Sequence, residues 1–204
     1  MVERQIAARG IRDPRILEAM ARIPREEFIP PEYRHLSCVD DPAPIGFGQT
    51  ISQPYMTALM TERLELKGTE KVLEVGAGCG YHAAVLGSLA ARVIALEIIP
   101  ELAAAARHNL EKTGLGGNIE IVCADGSAGW PEQAPYDAIS VAAAAAVAPQ
   151  ALLAQLSDPG RLVIPLGSCW EQELRLYRKE AGVARSQLLT YCRFVPLRGK
   201  EGWE

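Results

Sequence analysis

Between residues 70 and 167, short apolar runs alternate with longer segments whose apolar positions recur every three or four residues. The runs are KVLEVG, RVIALE, NIEIVCAD, YDAISVAA and RLVIPLG. Few polar residues interrupt them, as expected of strands covered on both faces, where neither row of side chains meets water. Between them lie YHAAVLGSLA, IPELAAAARHNLEKTG and VAPQALLAQLSDPG, each with helical spacing; the second closes at Gly114 and the third ends in the turn SDPG. Strand alternating with helix predicts an α/β fold, a doubly wound, mostly parallel, Rossmann-like sheet.

The flanks read differently. MVERQIAARG is expected to form a first helix stopped by Gly10. Asp13 stands as N-cap of a second, with Pro14 at its first position and Pro24 as its stop. Prolines 24, 30, 31, 42 and 44 make the stretch from 24 to 48 irregular. At the other end, QELRLYRKE and SQLLTYCRFVPL are strand-like runs separated by AGVAR, which contains Gly182 and predicts an antiparallel hairpin. The whole of 1–204 is read as one domain: a lead-in over 1–50, a cofactor-binding core over 70–167 and terminal strands over 171–198.

Composition narrows the partners. At 49% hydrophobic and 23% charged, 204 residues can bury one sizeable core. A net charge of −4 has the wrong sign for a phosphate backbone, so no nucleic-acid partner is expected. No uncharged apolar run is long enough to span a membrane, and ISVAAAAAVA is too short. Cys38, Cys79, Cys123, Cys169 and Cys192 are never spaced as CxxC, and His35, His82 and His108 show no ligand spacing, so no metal is expected. With no signal segment read, the expectation is a cytoplasmic monomer with reduced thiols.

The first strand runs into GAGCG, which supplies Gly76, Gly78 and Gly80. Glycines at such a turn let a ligand approach the backbone and meet the NH groups of the following helix. Because position 81 is Tyr, the spacing is shorter than the dinucleotide pattern. Glu97 ends the next strand 21 positions after Gly76, where a carboxylate can accept from both hydroxyls of an adenosine ribose. Asp125 and Gly126 end the third strand on the same edge, either as an adenine contact or as a plain Asp-Gly turn. The combination predicts a nucleoside cofactor, and the shortened spacing favours S-adenosyl-L-methionine over NAD.

Ahead of that strand stands IGFGQTISQPYMTALM, residues 45–60, with no His, Cys, Asp, Glu or Lys. Ser52 precedes Gln53-Pro54, so it either caps the helix beginning there or holds something by its hydroxyl. Tyr81 and His82 read as packing and surface residues, His108 as solvent-facing and Trp130 as packing beneath the adenine-side loop. Cys79 reads as a loop residue rather than a working thiolate.

ERQIAARGIRDPRILEAMARIPREEFIPPEY, PIGFGQTISQPYMTALMTE, VLEVGAGCGYHAAVLG, IPELAAAARHNL, DGSAGWPEQAPYDAI, GRLVIPLG and RFVPL together resemble the protein-L-isoaspartate (D-aspartate) O-methyltransferase family over nearly the whole chain. GQTISQPY is the most specific of them. The resemblance implies a class I S-adenosylmethionine-dependent methyltransferase fold with a variant arrangement of the last strands. It implies methyl transfer to the free α-carboxyl of L-isoaspartyl residues in damaged proteins and peptides, leaving S-adenosyl-L-homocysteine. The ester then collapses to a succinimide that can reopen as aspartate, which is protein repair. By the same resemblance Ser52 is the catalytic residue, with Thr50 and Gln53 positioning substrate. Gln49, Thr50, Ile51, Ser52, Gly76, Ala77, Gly78, Gly80, Glu97, Ile98, Asp125 and Gly126 would hold the cofactor. Phe47, Ala142, Ala146 and Arg198 depart from common family residues and bear on substrate preference.

The missing base then has a reason. An α-carboxyl has an unperturbed pKa of roughly 3.5, so the acceptor arrives ionised and needs no proton removed. Alignment and exclusion of water are what remain for the protein to supply. An alternative is a carboxyl methyltransferase acting on aspartate of a dedicated peptide or on a small carboxylic acid. A nicotinamide oxidoreductase would need the longer glycine spacing and a Tyr–Lys or His partner, neither of which is evident. Intact GQTISQPY argues against a non-catalytic module.

Overall fold

A computed structural model describes residues 1–203. Its strands are β1 (Ala43–Gly46), β2 (Gln49–Ile51), β3 (Lys71–Val75), β4 (Arg92–Glu97), β5 (Ile119–Cys123), β6 (Tyr136–Val141), β7 (Leu156–Gly167), β8 (Gln172–Glu180) and β9 (Val183–Cys192). The α-helices are α1 (Pro14–Arg22), α2 (Pro54–Arg63), α3 (Tyr81–Gly87), α4 (Pro100–Thr113) and α5 (Gln150–Ala154). The five apolar runs pair in parallel, and β8 and β9 continue the sheet antiparallel from β7, in the order β5-β4-β3-β6-β7-β8-β9.

Strand residues alternate between two cores. Val72, Val93, Ala95 and Ala138 face a large cluster that also takes Met56 and Leu59 of α2, Leu86 of α3, Leu102 and Ala106 of α4, and Ile6, Ile16 and Met20 of the lead-in. Leu73, Ile94, Ile139 and Leu162 face a smaller cluster under α5. The strand order reverses between β3 and β6, and the helices change face there. A crevice therefore opens outside the carboxyl ends of these strands, the usual ligand position in open α/β sheets.

Asp13 caps α1 as expected, its side chain accepting from the Arg15 amide. Three expectations are corrected. Residues 2–9 form a π-turn and a 3-10 turn rather than one α-helix, stopped at Gly10 with φ of 98°. The irregular lead-in contains the ribbon β1–β2, antiparallel from Ala43↔Ile51. The helix expected over VAPQALLAQLSDPG is confined to Gln150–Ala154, and Leu156 onward belongs to β7. The reason is tertiary: the Gln155 carbonyl accepts from Tyr136 N at 2.9 Å, while its side chain bonds Trp130 N and the Ala128 carbonyl.

Candidate active site

Gly76 N and Ala77 N both donate to the Leu96 carbonyl at 2.9 Å, folding the glycine loop across the end of β4. That brings the loop onto Glu97. Its Oε2 accepts from Gly78 N at 2.8 Å and its Oε1 from Ile99 N at 2.9 Å. A carboxylate has about four acceptor positions, so this nearly buried group, 6% exposed, is fixed by two amides and keeps capacity for ribose hydroxyls. Gly78 has φ of 54°, and a Cβ there would sit 3.1 Å from Ile45 Cδ1.

A cleft opens beside this loop. Gln49, Thr50, Gly76, Gly78, Glu97, Ile98 and Gly126 line it, with Ala142 and the terminal segment 195–198 opposite. Of the residues expected at the cofactor, Ala77, Ile51 and Ser52 line a smaller adjoining cavity instead. Gly80 and Asp125 stand outside the cleft wall. At Gly80 an added Cβ would lie 3.3 Å from the Ala106 backbone, so this glycine lets the loop close on α4. Asp125 accepts from Ser127 N and Oγ at 2.9 and 2.7 Å, and from Lys200 N at 2.8 Å. Burial pushes its carboxyl up, but the Lys200 amide and the Ser127 bonds outweigh this and hold it below the ordinary carboxylate value.

The polar turn lies at the far side of the cleft. Phe47, at the tip of the β1–β2 ribbon, has φ of 53° and is exposed. Residues 49–51 form β2, and α2 starts at Pro54 with Gln53 as N-cap and no side-chain cap bond. Asp40 of the lead-in accepts from Tyr55 N at 2.9 Å in that role. Ser52 is therefore not the helix cap, and its hydroxyl makes no hydrogen bond among the described residues. Its carbonyl is held instead: Arg25 Nη2 donates to it at 2.9 Å, and Arg25 Nε donates to the Ser37 carbonyl at 3.1 Å. The same guanidinium lies 4.8 Å over the Tyr81 ring and is 2% exposed.

A second pocket is lined by Pro42, Thr50, Ser52, Gln53, Met56, Ala142, Tyr191, Arg193 and Phe194, among others. Thr50, Ala142 and Val195 belong to both walls. Among the residues that depart from common family types, Ala142 stands between the two pockets and Arg198 lines the first, while Ala146 and Phe47 line neither.

Beneath the glycine loop, buried Glu74 meets the partly buried His82, with His82 Nδ1 3.4 Å from Glu74 Oε1 and Nε2 3.1 Å from Thr61 Oγ1. Burial, then the charge of Glu97, pushes the Glu74 carboxyl up to about 8, and burial pushes His82 down to about 4. Both are neutral at pH 7. His82 is thus largely buried, its side chain 10% exposed, and packs against Glu74. Burial lifts the Cys79 thiol to about 11, which makes it a poor nucleophile. Among the described residues, no group of three or more His, Cys, Asp or Glu is placed to hold a metal ion, and no helix is long and apolar enough to cross a membrane.

Sequence reasoning missed Arg25, Glu74 and Arg193. Arg25 stands 27 positions before Ser52 in an irregular stretch, and Glu74 looks like one polar residue in an apolar strand. Only Arg193 carried a signal, as part of RFVPL, without an assigned role.

The chain matches a family model described as protein-L-isoaspartate(D-aspartate) O-methyltransferase over residues 1–202. A Marinobacter nauticus protein-L-isoaspartate O-methyltransferase 2 is 52% identical over 100% of this chain and 93% of the relative. A Methanoregula boonei protein-L-isoaspartate O-methyltransferase is 50% identical over 100% and 94% respectively. Among solved structures, a protein-L-isoaspartate O-methyltransferase superposes with a TM-score of 0.88 at 29% identity, covering 99% of this chain and 67% of that one. A Plasmodium falciparum chain described as a protein-L-isoaspartate O-methyltransferase in complex with S-adenosyl-L-homocysteine gives a TM-score of 0.83 at 28% identity, over 97% and 96%.

Proposed function

The chain belongs to the protein-L-isoaspartate(D-aspartate) O-methyltransferase family, and from that premise we propose that the Thr50–Ser52 turn is where its methyl transfer takes place. The enzyme uses S-adenosyl-L-methionine to methylate the free α-carboxyl of L-isoaspartyl residues in damaged proteins and peptides. The observation that carries the placement is the shared wall: Thr50 lines both the cleft beside Glu97 and the pocket holding the Ser52 side chain.

The residues fit the cofactor. Glu97 keeps free acceptor positions toward a ribose, and the glycines leave the loop backbone open to close approach. When bound, S-adenosyl-L-methionine supplies an electron-poor methyl on a sulfonium. Ser52 then works by position. Its hydroxyl, free of any helix-capping bond, donates to one oxygen of the acceptor carboxylate and aims the other at the cleft. It does not compete as a nucleophile, because no hydrogen bond among the described residues joins its hydroxyl to a base. Thr50 and Gln53 frame the entry. Arg193, on the outer wall of the same pocket, favours an anionic acceptor. Met56 and Phe194 give this otherwise polar pocket an apolar strip of wall. We place the reaction in the cytoplasm, in keeping with five cysteines that form no disulfide.

The test is methyl transfer from labelled cofactor to paired peptides that differ only in holding isoaspartate or aspartate. Label in the isoaspartyl peptide alone is expected. Equal labelling of both, or preference for the aspartyl peptide, would replace this reading by the dedicated-substrate alternative.

A further inference from the structure

We propose that Val147, Trp170 and Tyr191 form a subsite for a bulky apolar side chain next to the isoaspartate in the substrate polypeptide. This rests on the reading of the acceptor pocket above and adds a residue preference that the acceptor carboxyl does not explain.

These three are the most exposed large apolar side chains among the described residues, at 73%, 76% and 62%. They come from separate parts of the chain: the loop after β6, the turn between β7 and β8, and the end of β9. Yet they border one region. Tyr191 lines the acceptor pocket and also an open groove beside it, which Val147 lines too. Trp170 stands next to both: its neighbour Glu171 lines the groove, and its ring lies 6.0 Å from the Arg193 guanidinium of the acceptor pocket. Single exposed apolar residues need no explanation, whereas a cluster rimming a binding site marks a contact surface.

The groove is fixed relative to the acceptor pocket. Buried Gln172 donates from Nε2 to the Ser168 carbonyl at 2.6 Å and accepts at Oε1 from Phe194 N at 2.7 Å. It thereby ties the groove wall, the turn that carries Trp170 and the acceptor pocket's Phe194 into one unit. Ser168 Oγ accepts from the amides of Trp170 and Glu171 at 3.2 Å, so that turn is ordered. Leu166 and Tyr177, packed on the smaller core, line the groove, and Ala146, which departs from common family residues, adds only a methyl group to its wall.

The occupant follows from the substrate. An isoaspartyl residue arrives within a polypeptide, and each neighbouring residue lies only about 3.3–3.6 Å farther along an extended chain. With the acceptor seated beside Ser52, a flanking side chain meets this rim. The groove's charges favour an apolar one: Glu173 and Arg175 pair with each other at 2.7 Å, and the exposed Glu171 adds little for a basic side chain in water. Removing apolar surface from water is the larger gain.

Methyl-transfer kinetics on isoaspartyl peptides carrying Ala, Leu, Phe or Lys, placed first on one side of the isoaspartate and then on the other, test this. On the native protein, Leu and Phe on one side should lower KM about three- to tenfold against Ala, with kcat unchanged and no such gain on the other side. Val147→Ser, at an exposed position outside both the cofactor cleft and the acceptor pocket, should remove most of that gain and leave KM for the alanine peptide unchanged. Equal KM for Ala, Leu and Phe, or an equal gain on both sides, overturns the proposal from the native protein alone. So does a gain for Lys that matches Leu, which would make Glu171 the determinant, or a Leu gain that survives whole in Val147→Ser. Methyl transfer to none of the peptides would instead sink the reading of the function itself.

Discussion

Replacing Arg25 by methionine removes the group that holds Ser52 from behind while keeping most of the side-chain volume. Two hydrogen bonds from a charged donor are lost, to the carbonyls of Ser37 and Ser52, each contributing about 1.5–3 kcal/mol. The stacking over Tyr81 at 4.8 Å adds up to about 2 kcal/mol at a desolvated site. Against this, a buried guanidinium with an unpartnered Nη1 no longer has to be desolvated, which returns several kcal/mol. A net loss of about 2–4 kcal/mol is expected, and in a chain of 204 residues this lowers the melting temperature by roughly 4–16 °C. The effect on turnover should be larger than stability alone implies, since a misplacement of about 1 Å can cost about a hundredfold. Glu97 and the cleft do not touch Arg25, so affinity for S-adenosyl-L-homocysteine should stay within about threefold. Thermal unfolding, calorimetry and methyl-transfer rates, measured where the variant is folded, separate these effects. Arg25→Lys should restore only part of the rate, because an ammonium cannot span both carbonyls as the planar fork does. Normal turnover in Arg25→Met, or a loss of cofactor affinity equal to the loss of rate, would refute the reasoning.

Ser52→Ala should lower the methyl-transfer rate at least tenfold on order-of-magnitude grounds while cofactor affinity changes only a few-fold; near-normal turnover would remove the serine from the reaction. The buried acid predicts a pH dependence in ligand-free protein. Glu74, raised to about 8, contributes stability that is whole below its unfolded value of about 4.3 and is lost as pH climbs toward 8. His82, lowered to about 4, contributes stability present above about 6.5 and lost as pH falls toward 4. Facing Glu74 are His82 of α3, the Cys79 thiol, neutral at these pH values, and the Glu97 carboxylate of β4. Between pH 6.5 and 8 the Glu74 contribution changes most, over one and a half pH units at about 1.36 kcal/mol each, so up to about 2 kcal/mol should be lost. Glu74→Gln should abolish that decline. Parallel melting curves for native protein and variant across the window would contradict it.

Much of the frame was legible in order along the chain, because the signals are local. Continuous apolar runs marked β3 to β7, the cap at Asp13 and the stop at Gly10 were read where they stand, and Gly182 turns the terminal hairpin. Gly76, Gly78 and Glu97 were legible as a loop and an acid on one sheet edge, since strand order and spacing alone bring them there. The helix after Pro149 was read too long because its end is set by Tyr136 and Trp130 reaching Gln155. No spacing rule carries such partners.

The sequence by itself determined the class of sheet, the edge that carries the glycine loop and Glu97, and a polar turn with no base in it. Only the tertiary structure decided that Ser52 is free of the α2 cap, which Asp40 serves from 15 residues away, and that Arg25 grips it from 27. It also decided that the carboxylate of Asp125 meets Lys200 and that Glu74 lies unpaired under the glycine loop. The physical reason is range. Backbone periodicity and turn chemistry are written within a few residues, whereas burial, and the pairing of polar groups that burial demands, depend on chain segments that meet only after folding.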